Sequence, residues 1–417
     1  MIAAAPRSPE VGSLLVFSDD WGRHPSSCQH LVRHLVQSLP VTWVNTIGTR
    51  APRFDLATLR RVGEKLKQWR PSGRHTENAA SDDQEQHAAP QNPVGLTVVN
   101  PKMWPWFSHR HDRQLNQWLL KQQLSRLVQQ MPQPVVGLTT LPITADLPDA
   151  LPVSRWVYYC VDDFSLWPGL DGDTLRRMDR DMIRRADSLV AVSEPLRSMI
   201  ASEGRSAELL THGVDVDFWT LQEDSQKNST TVAPACLQSI PRPLVVFWGV
   251  IDRRMDTGSL VRLSADLSAG TILLIGPQQD PDPAILSLPN VRCLPPQPMH
   301  ILPSIAREAS VLIMPYADLP VTRAMQPLKL KEYMATGRPV VVNHLPSTAA
   351  WSDCLEVAHS PEQFSQLVRT AISRGTGASQ RAARQRLQHE SWSARAELLL
   401  QVIQNGTRTP QTERNTP

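Results

Sequence analysis

Paired cysteines and long apolar runs are both missing from this chain of 417 residues. The five cysteines, at 28, 160, 236, 293 and 354, never form C-x-x-C, so no zinc pattern or disulfide framework is written in their spacing. A reducing cytoplasm fits that usage best. No stretch approaches the roughly 18 apolar residues of a membrane helix, and residues 1–10 lack a signal-peptide core, so a soluble or peripheral protein is expected. Charge of one sign is scarce too: 43 Lys and Arg against 40 Asp and Glu leave +3, too mild to indicate nucleic acid as a partner. Tyrosine is rare, at four against twelve tryptophans, a bias that has no evident physical reason. Finally, no G-x-G-x-x-G follows an early strand, which discounts a dinucleotide-dependent oxidoreductase.

With 41% hydrophobic and 20% charged residues the composition is that of a globular protein, and the length exceeds what one core usually serves. Short apolar runs at 14–18, 41–45, 94–99, 135–138, 156–159, 188–192 and 207–210 predict strands, with helical periodicity at 26–37, 110–130 and 174–186 between them. This βαβ alternation implies a parallel sheet that holds ligands beyond the strand carboxyl ends. The polar stretch 221–240 reads as a linker between a first domain, 1–220, and a second, 241–385. The second domain repeats the alternation, with strands at 244–248, 271–275, 291–294, 311–314 and 340–343 and helices at 259–267, 301–308, 328–336 and 362–373. A last helical pattern falls within 386–404, and the polar tail 405–417 is expected to be disordered. Residues 71–93 have almost nothing to bury and read as a flexible insertion. Just before it, 55–70 places Leu56, Leu59, Val62, Leu66 and Trp69 on one helical face, ringed by Arg60, Arg61, Lys65, Lys67 and Arg70. Such a basic amphipathic helix suits either an anionic membrane surface or domain packing with a solvated rim.

The most informative stretch runs from Gln326 to Val342. Proline at a first helical position (Pro327), Gly337 at the helix end and a β-branched run after Pro339 predict a short helix feeding a buried strand. Lys329 and Glu332, three residues apart, share a face in the first turn, where free backbone N–H groups favour an anion. A nucleoside diphosphate needs that combination: a cation and amides for phosphate, a carboxylate for ribose hydroxyls. A solvated Lys–Glu pair would look the same.

The string PLKLKEYMATGRPVVV resembles the donor-site signature of GT-B glycosyltransferases of the bacterial "glycosyl transferases group 1" class. Other segments agree in order: His212-Gly213-Val214-Asp215 with the family's NGVD turn, Trp248 to Asp256 with its G-x-I-x-x-R-x-D start, then Pro289-Asn290-Val291 and Met314-Pro315-Tyr316. One departure stands out. The common E-x7-E motif would begin at position 324, which is Ala324, so only Glu332 of that pair is present, as in a subgroup with TRAMxPLKLYEYLAxG. The resemblance implies two Rossmann-like domains facing across a cleft, and a metal-independent hexosyltransferase with a UDP- or GDP-sugar as co-substrate and no other cofactor. The acceptor would be a glycan, lipid-linked or small-molecule hydroxyl in polysaccharide or glycolipid synthesis, in the cytoplasm or at the inner face of the cell membrane.

For the donor, Arg254 and Lys329 are expected on the diphosphate, Gly249 where backbone approaches it, Glu332 on ribose, and Tyr316 where a base can stack or at the rim. Asp162 and Asp163 follow the strand at 156–159; one would take the acceptor proton if the reaction inverts, both would position the sugar if it retains, and the alternative for each is a cap on the next turn. Gly22 fits the loop that the family brings near donor and acceptor. The helical pair His30 and His34, with Cys28 or His24 nearby, lacks a full zinc pattern, and His109-Arg110-His111 reads as a solvated turn. The competing class is a non-catalytic GT-B scaffold that binds glycan or a partner protein, for which Ala324 is the best argument.

Overall fold

The computed structural model describes residues 11–22, 26–49, 92–220 and 234–405. The basic stretch 55–70, nearly all of the insertion 71–93, most of the linker and nearly all of the tail lie outside them. The chain divides into two compact units: residues up to Tyr158 with Phe164–Asp187, and Tyr159–Asp163 with the residues from Ser188 on.

In the first unit, short runs rich in Val, Leu and aromatic residues form β1 (Ser13–Ser18), β2 (Val41–Asn45), β3 (Leu96–Val99), β4 (Val135–Thr139) and most of β5 (Arg155–Cys160), largely buried except in β3, where only Leu96 is. They pair in parallel in the order β3-β2-β1-β4-β5. β1 is buried along its whole length, as a parallel strand covered on both faces must be. The crossover helices Ser27–Leu35 and Arg110–Gln130 are capped by Ser26, whose side chain accepts from Gln29 N–H, and by a box between His109 and Asp112.

The second unit contains β6 (Ser188–Ala191) paired in parallel with β7 (Glu208–Leu209). Its six-stranded sheet comprises β8 (Leu244–Trp248), β10 (Thr271–Ile275), β12 (Val291–Leu294), β13 (Val311–Met314), β14 (Val340–Asn343) and β15 (Glu356–Ala358). The two-residue β9 (Ile251–Asp252) and β11 (Gln278–Gln279) pair apart from it. The parallel order β12-β10-β8-β13-β14-β15 is that of a Rossmann sheet, whose switch point falls between β8 and β13. Ligands bind in the crevice at such a point, beyond the strand carboxyl ends. Gly249 follows β8 and Tyr316 follows β13 at that place.

Five of the six strands of this sheet fall on the segments that the alternation predicts; β15 is too short and too polar at Glu356 to read from sequence. Pro327 stands one residue outside the helix rather than first in it. Its extended ψ of 121° makes it the N-cap, and the helix runs Leu328–Ala335 to a left-handed Gly337 at φ 75°. No helix among the described residues is long and apolar enough to cross a membrane.

Candidate functional site

Gly249 has φ 141°, a conformation that L side chains avoid, and a Cβ there would lie 2.0 Å from Lys329 Nζ. The missing side chain is therefore the room that the ammonium occupies. Lys329 Nζ lies 4.5 Å from the Phe247 ring centroid and 5.1 Å from that of Tyr316, and donates to Tyr316 Oη at 2.7 Å. The Phe247 face and the Tyr316 hydroxyl thus hold a cation that makes no ion pair among the described residues.

Tyr316 is only 2% exposed, so it is neither a rim residue nor an open stacking face; its hydroxyl serves Lys329 and its ring lies 5.7 Å from the Arg254 guanidinium. The two loops that carry these side chains are strapped together. Ala317 N–H donates to Arg254 O (2.8 Å), Asp256 N–H to Pro315 O (2.7 Å), and Met255 bridges Tyr316 in antiparallel fashion. Asn343, at the end of β14, completes the strap by donating from Nδ2 to Tyr316 O (3.1 Å) and Asp256 Oδ2 (3.0 Å).

Arg254 is buried at 6% exposure, not a surface arginine. Asp252 accepts from its Nε at 2.9 Å and 3.0 Å and pairs with Nη2 at 2.8 Å. Burial opposes the charge, but Asp252, helped by Tyr316 and Asp162, outweighs it and raises the guanidinium's pKa. The Asp162 carboxylate is thus close enough to Arg254 to act on it. Asp163, the next residue, is half-buried.

Glu332 is half-buried by exposed surface, yet protein surrounds its carboxylate closely enough that desolvation pushes it up to about 7, with Trp248 and Lys329 pulling the other way. The neighbouring Tyr333 hydroxyl accepts from Trp248 N–H at 2.9 Å, which fixes this helix to the end of β8. Ala324 is buried and its carbonyl accepts from Ser193 Oγ at 2.7 Å; no carboxylate is offered from that position.

The second unit therefore gathers Gly249, Arg254, Tyr316 and Lys329 in contact, with Glu332 and Asp162 within electrostatic reach. Gly22 belongs to the first unit, where it turns at φ 79° and its N–H donates to Gln29 Oε1 at 3.1 Å. Sequence reading missed Phe247, Asp252, Asn343 and Trp248 as parts of the site. Asp252 lies inside the segment matched to the family, but a pairing across a turn leaves no mark in a linear pattern.

Elsewhere, Cys28 is buried, and desolvation with the Asp19 charge pushes its thiol up, so it is no ready ligand beside His30 and His34. His109, His111 and Asp112 offer ligand atoms within 4.8 Å of one another. Asp112 is already committed there: it accepts from His109 N–H (3.1 Å) and from Trp104 Nε1 (2.9 Å).

No protein-family model matches the chain. Over 174 residues it is 28% identical to TuaH of Bacillus subtilis, assigned provisionally as a teichuronic acid biosynthesis glycosyltransferase; the match covers 40% of this chain and 43% of that relative. Solved structures resemble nearly all of it. Sucrose-phosphate synthase of Thermosynechococcus elongatus aligns at TM-score 0.65 and 14% identity over 94% of this chain and 98% of that one. HepE of Anabaena, solved with UDP, aligns at TM-score 0.63 and 13% identity over 94% and 99%. A UDP-forming trehalose-phosphate synthase of Burkholderia xenovorans, solved with glucose-6-phosphate, gives 0.60 and 15% over 94% and 100%. The chain thus has the fold of these GT-B glycosyltransferase structures, and 40% of it is similar in sequence to TuaH.

Proposed function

We propose that the protein transfers a hexose-type sugar from a UDP- or GDP-sugar to a hydroxyl of a glycan, lipid-linked or small-molecule acceptor, in polysaccharide or glycolipid assembly and without a metal. One observation carries the reading: at the switch point of a Rossmann sheet, Lys329 presents an ammonium with no carboxylate partner among the described residues, next to a glycine that keeps the approach open. A diphosphate supplies the missing counter-charge. Arg254 lies beside it, and Glu332 offers a carboxylate to ribose hydroxyls. The names of TuaH and of the UDP-bound HepE agree with this chemistry.

In the reaction, the anomeric C–O bond to the diphosphate breaks and the acceptor oxygen forms the new bond. Lys329 and Arg254 stabilise the charge that builds on the leaving group. If configuration inverts, Asp163 or Asp162 accepts the hydroxyl proton; if it is retained, the departing phosphate oxygen takes it. The setting is the cytoplasm, with the basic stretch 55–70 suited to the inner face of the membrane.

The test is turnover of a panel of UDP- and GDP-sugars, with calorimetry of UDP and GDP alongside. Hydrolysis or transfer of at least one donor is expected. Absence of both turnover and nucleotide binding would replace this reading by the non-catalytic scaffold that Ala324 suggests.

A further inference from the structure

Lys331 has no part in the chemistry above, yet it is among the most deeply buried side chains, at 2% exposure. Two residues on from Lys329, it is turned roughly 200° around the helix and faces away from the switch point. Its ammonium donates to Thr211 Oγ1 at 3.1 Å, to His212 O and to Glu390, which also accepts from Arg395. Three donors meet three acceptors, so the amine is saturated and asks for no ligand.

Those acceptors come from two other segments that are themselves tied together. Val214 N–H donates to Glu390 O at 2.8 Å, Val214 bridges Ser391 in parallel, and a Cβ on Gly213 would lie 2.7 Å from the Trp392 ring. The His212-Gly213-Val214-Asp215 turn, which the donor chemistry leaves unexplained, thus forms a junction with residues 390–392, and Lys331 plugs the helix Leu328–Ala335 into it.

Stability alone does not account for a lysine here. Burial pushes the Lys331 ammonium down to about 8 although Glu390 pulls it up, so desolvation outweighs pairing. A buried ion pair replaced whole by apolar residues of similar volume is often no loss to stability.

We propose that Lys331 is a positioning residue for the donor site, a latch that fixes the register of the helix Leu328–Ala335 against the junction of residues 211–214 and 390–392, so that Lys329 and Glu332 reach the nucleotide. The inference rests on the donor reading and names a second face of the same helix as its support.

The experiment compares the full-length wild type with Lys331→Met and Glu390→Gln, using UDP, and GDP where the wild type prefers it. Nucleotide affinity, thermal midpoint, donor KM and kcat, and amide exchange of residues 328–335 and 211–214 are measured. Lys331→Met leaves Glu390 to Arg395 but takes the donor from Thr211 and His212, so it should fold with a lowered midpoint and, beyond that, bind nucleotide about tenfold more weakly, raise KM with little change in kcat, and exchange faster in both segments. Glu390→Gln, which keeps an acceptor without its charge, should show a smaller effect in the same direction and carries the test if Lys331→Met does not fold. Wild-type affinity and exchange in a folded variant, or a lowered midpoint alone, overturns the latch. A wild type that binds neither nucleotide sinks the donor reading instead, and exchange of residues 328–335 then decides the latch by itself.

Discussion

Gly249 and Lys329 occupy one another's space, and each is expected to fail without the other. Gly249→Ala places a methyl 2.0 Å from Lys329 Nζ in a backbone conformation costing about 1–3 kcal/mol, so calorimetry should find UDP binding weakened and the melting temperature lowered. Lys329→Ala should leave the fold intact and removes the cation held at Phe247 and Tyr316; a loss of roughly tenfold or more in UDP affinity is expected from one charge-assisted contact. Unchanged affinity would remove the main support of the donor reading. Glu332 makes a pH prediction. Its carboxyl rises from about 4.5 in the unfolded chain to about 7 in the fold, so its contribution to stability is full below pH 4.5 and lost as pH climbs through 7. Glu332→Gln should therefore melt higher than wild type at pH 8 and alike at pH 4. If ribose needs the ionised form, wild-type donor affinity should rise between pH 6 and 8, and that rise should vanish in the variant.

Between elements, the strap that joins residues 252–256 to 315–317 explains why buried Tyr316 and Arg254 keep their places. Asn343→Ala takes away the amide that bonds both loops and should cost about 1–3 kcal/mol in denaturant unfolding, with weaker nucleotide binding as Tyr316 loosens. Asp163 follows β5 beside Asp162, whose charge acts on Arg254. Asp163→Asn is expected to leave UDP affinity unchanged and to slow transfer; a wild-type transfer rate would discard Asp163 as the base. Both effects belong to loops at strand carboxyl ends, where a parallel sheet collects its functional groups.

On the scale of the whole molecule, the two halves were legible because strands in parallel sheets are short, apolar and separated by periodic helices. The runs 41–45, 244–248, 271–275, 291–294, 311–314 and 340–343 all appear as strands with those bounds. The small elements, β9, β11, β15 and the helix Pro320–Ala324, were not, since none is long enough to show a period. A ligand-linked gain should be visible globally: UDP at a hundredfold excess over its Kd adds about 2.7 kcal/mol, and the thermal midpoint should rise with UDP concentration. A midpoint indifferent to both UDP and GDP would speak for the scaffold.

The amino-acid order determined the α/β alternation, the extent of the long strands and helices, and the presence of Gly249, Arg254, Lys329 and Glu332 near strand ends, because apolar period and helix punctuation are local properties. Only tertiary structure decided that Lys329 rests on the Phe247 face and the Tyr316 hydroxyl with no ion pair among the described residues, that Arg254 is held by Asp252, and that Lys331 faces the other way into a junction with Thr211, His212 and Glu390. Those pairings join residues up to 120 positions apart, as Lys331 and Thr211 are. Their energies depend on burial and direction, and neither is a property of neighbours along the chain.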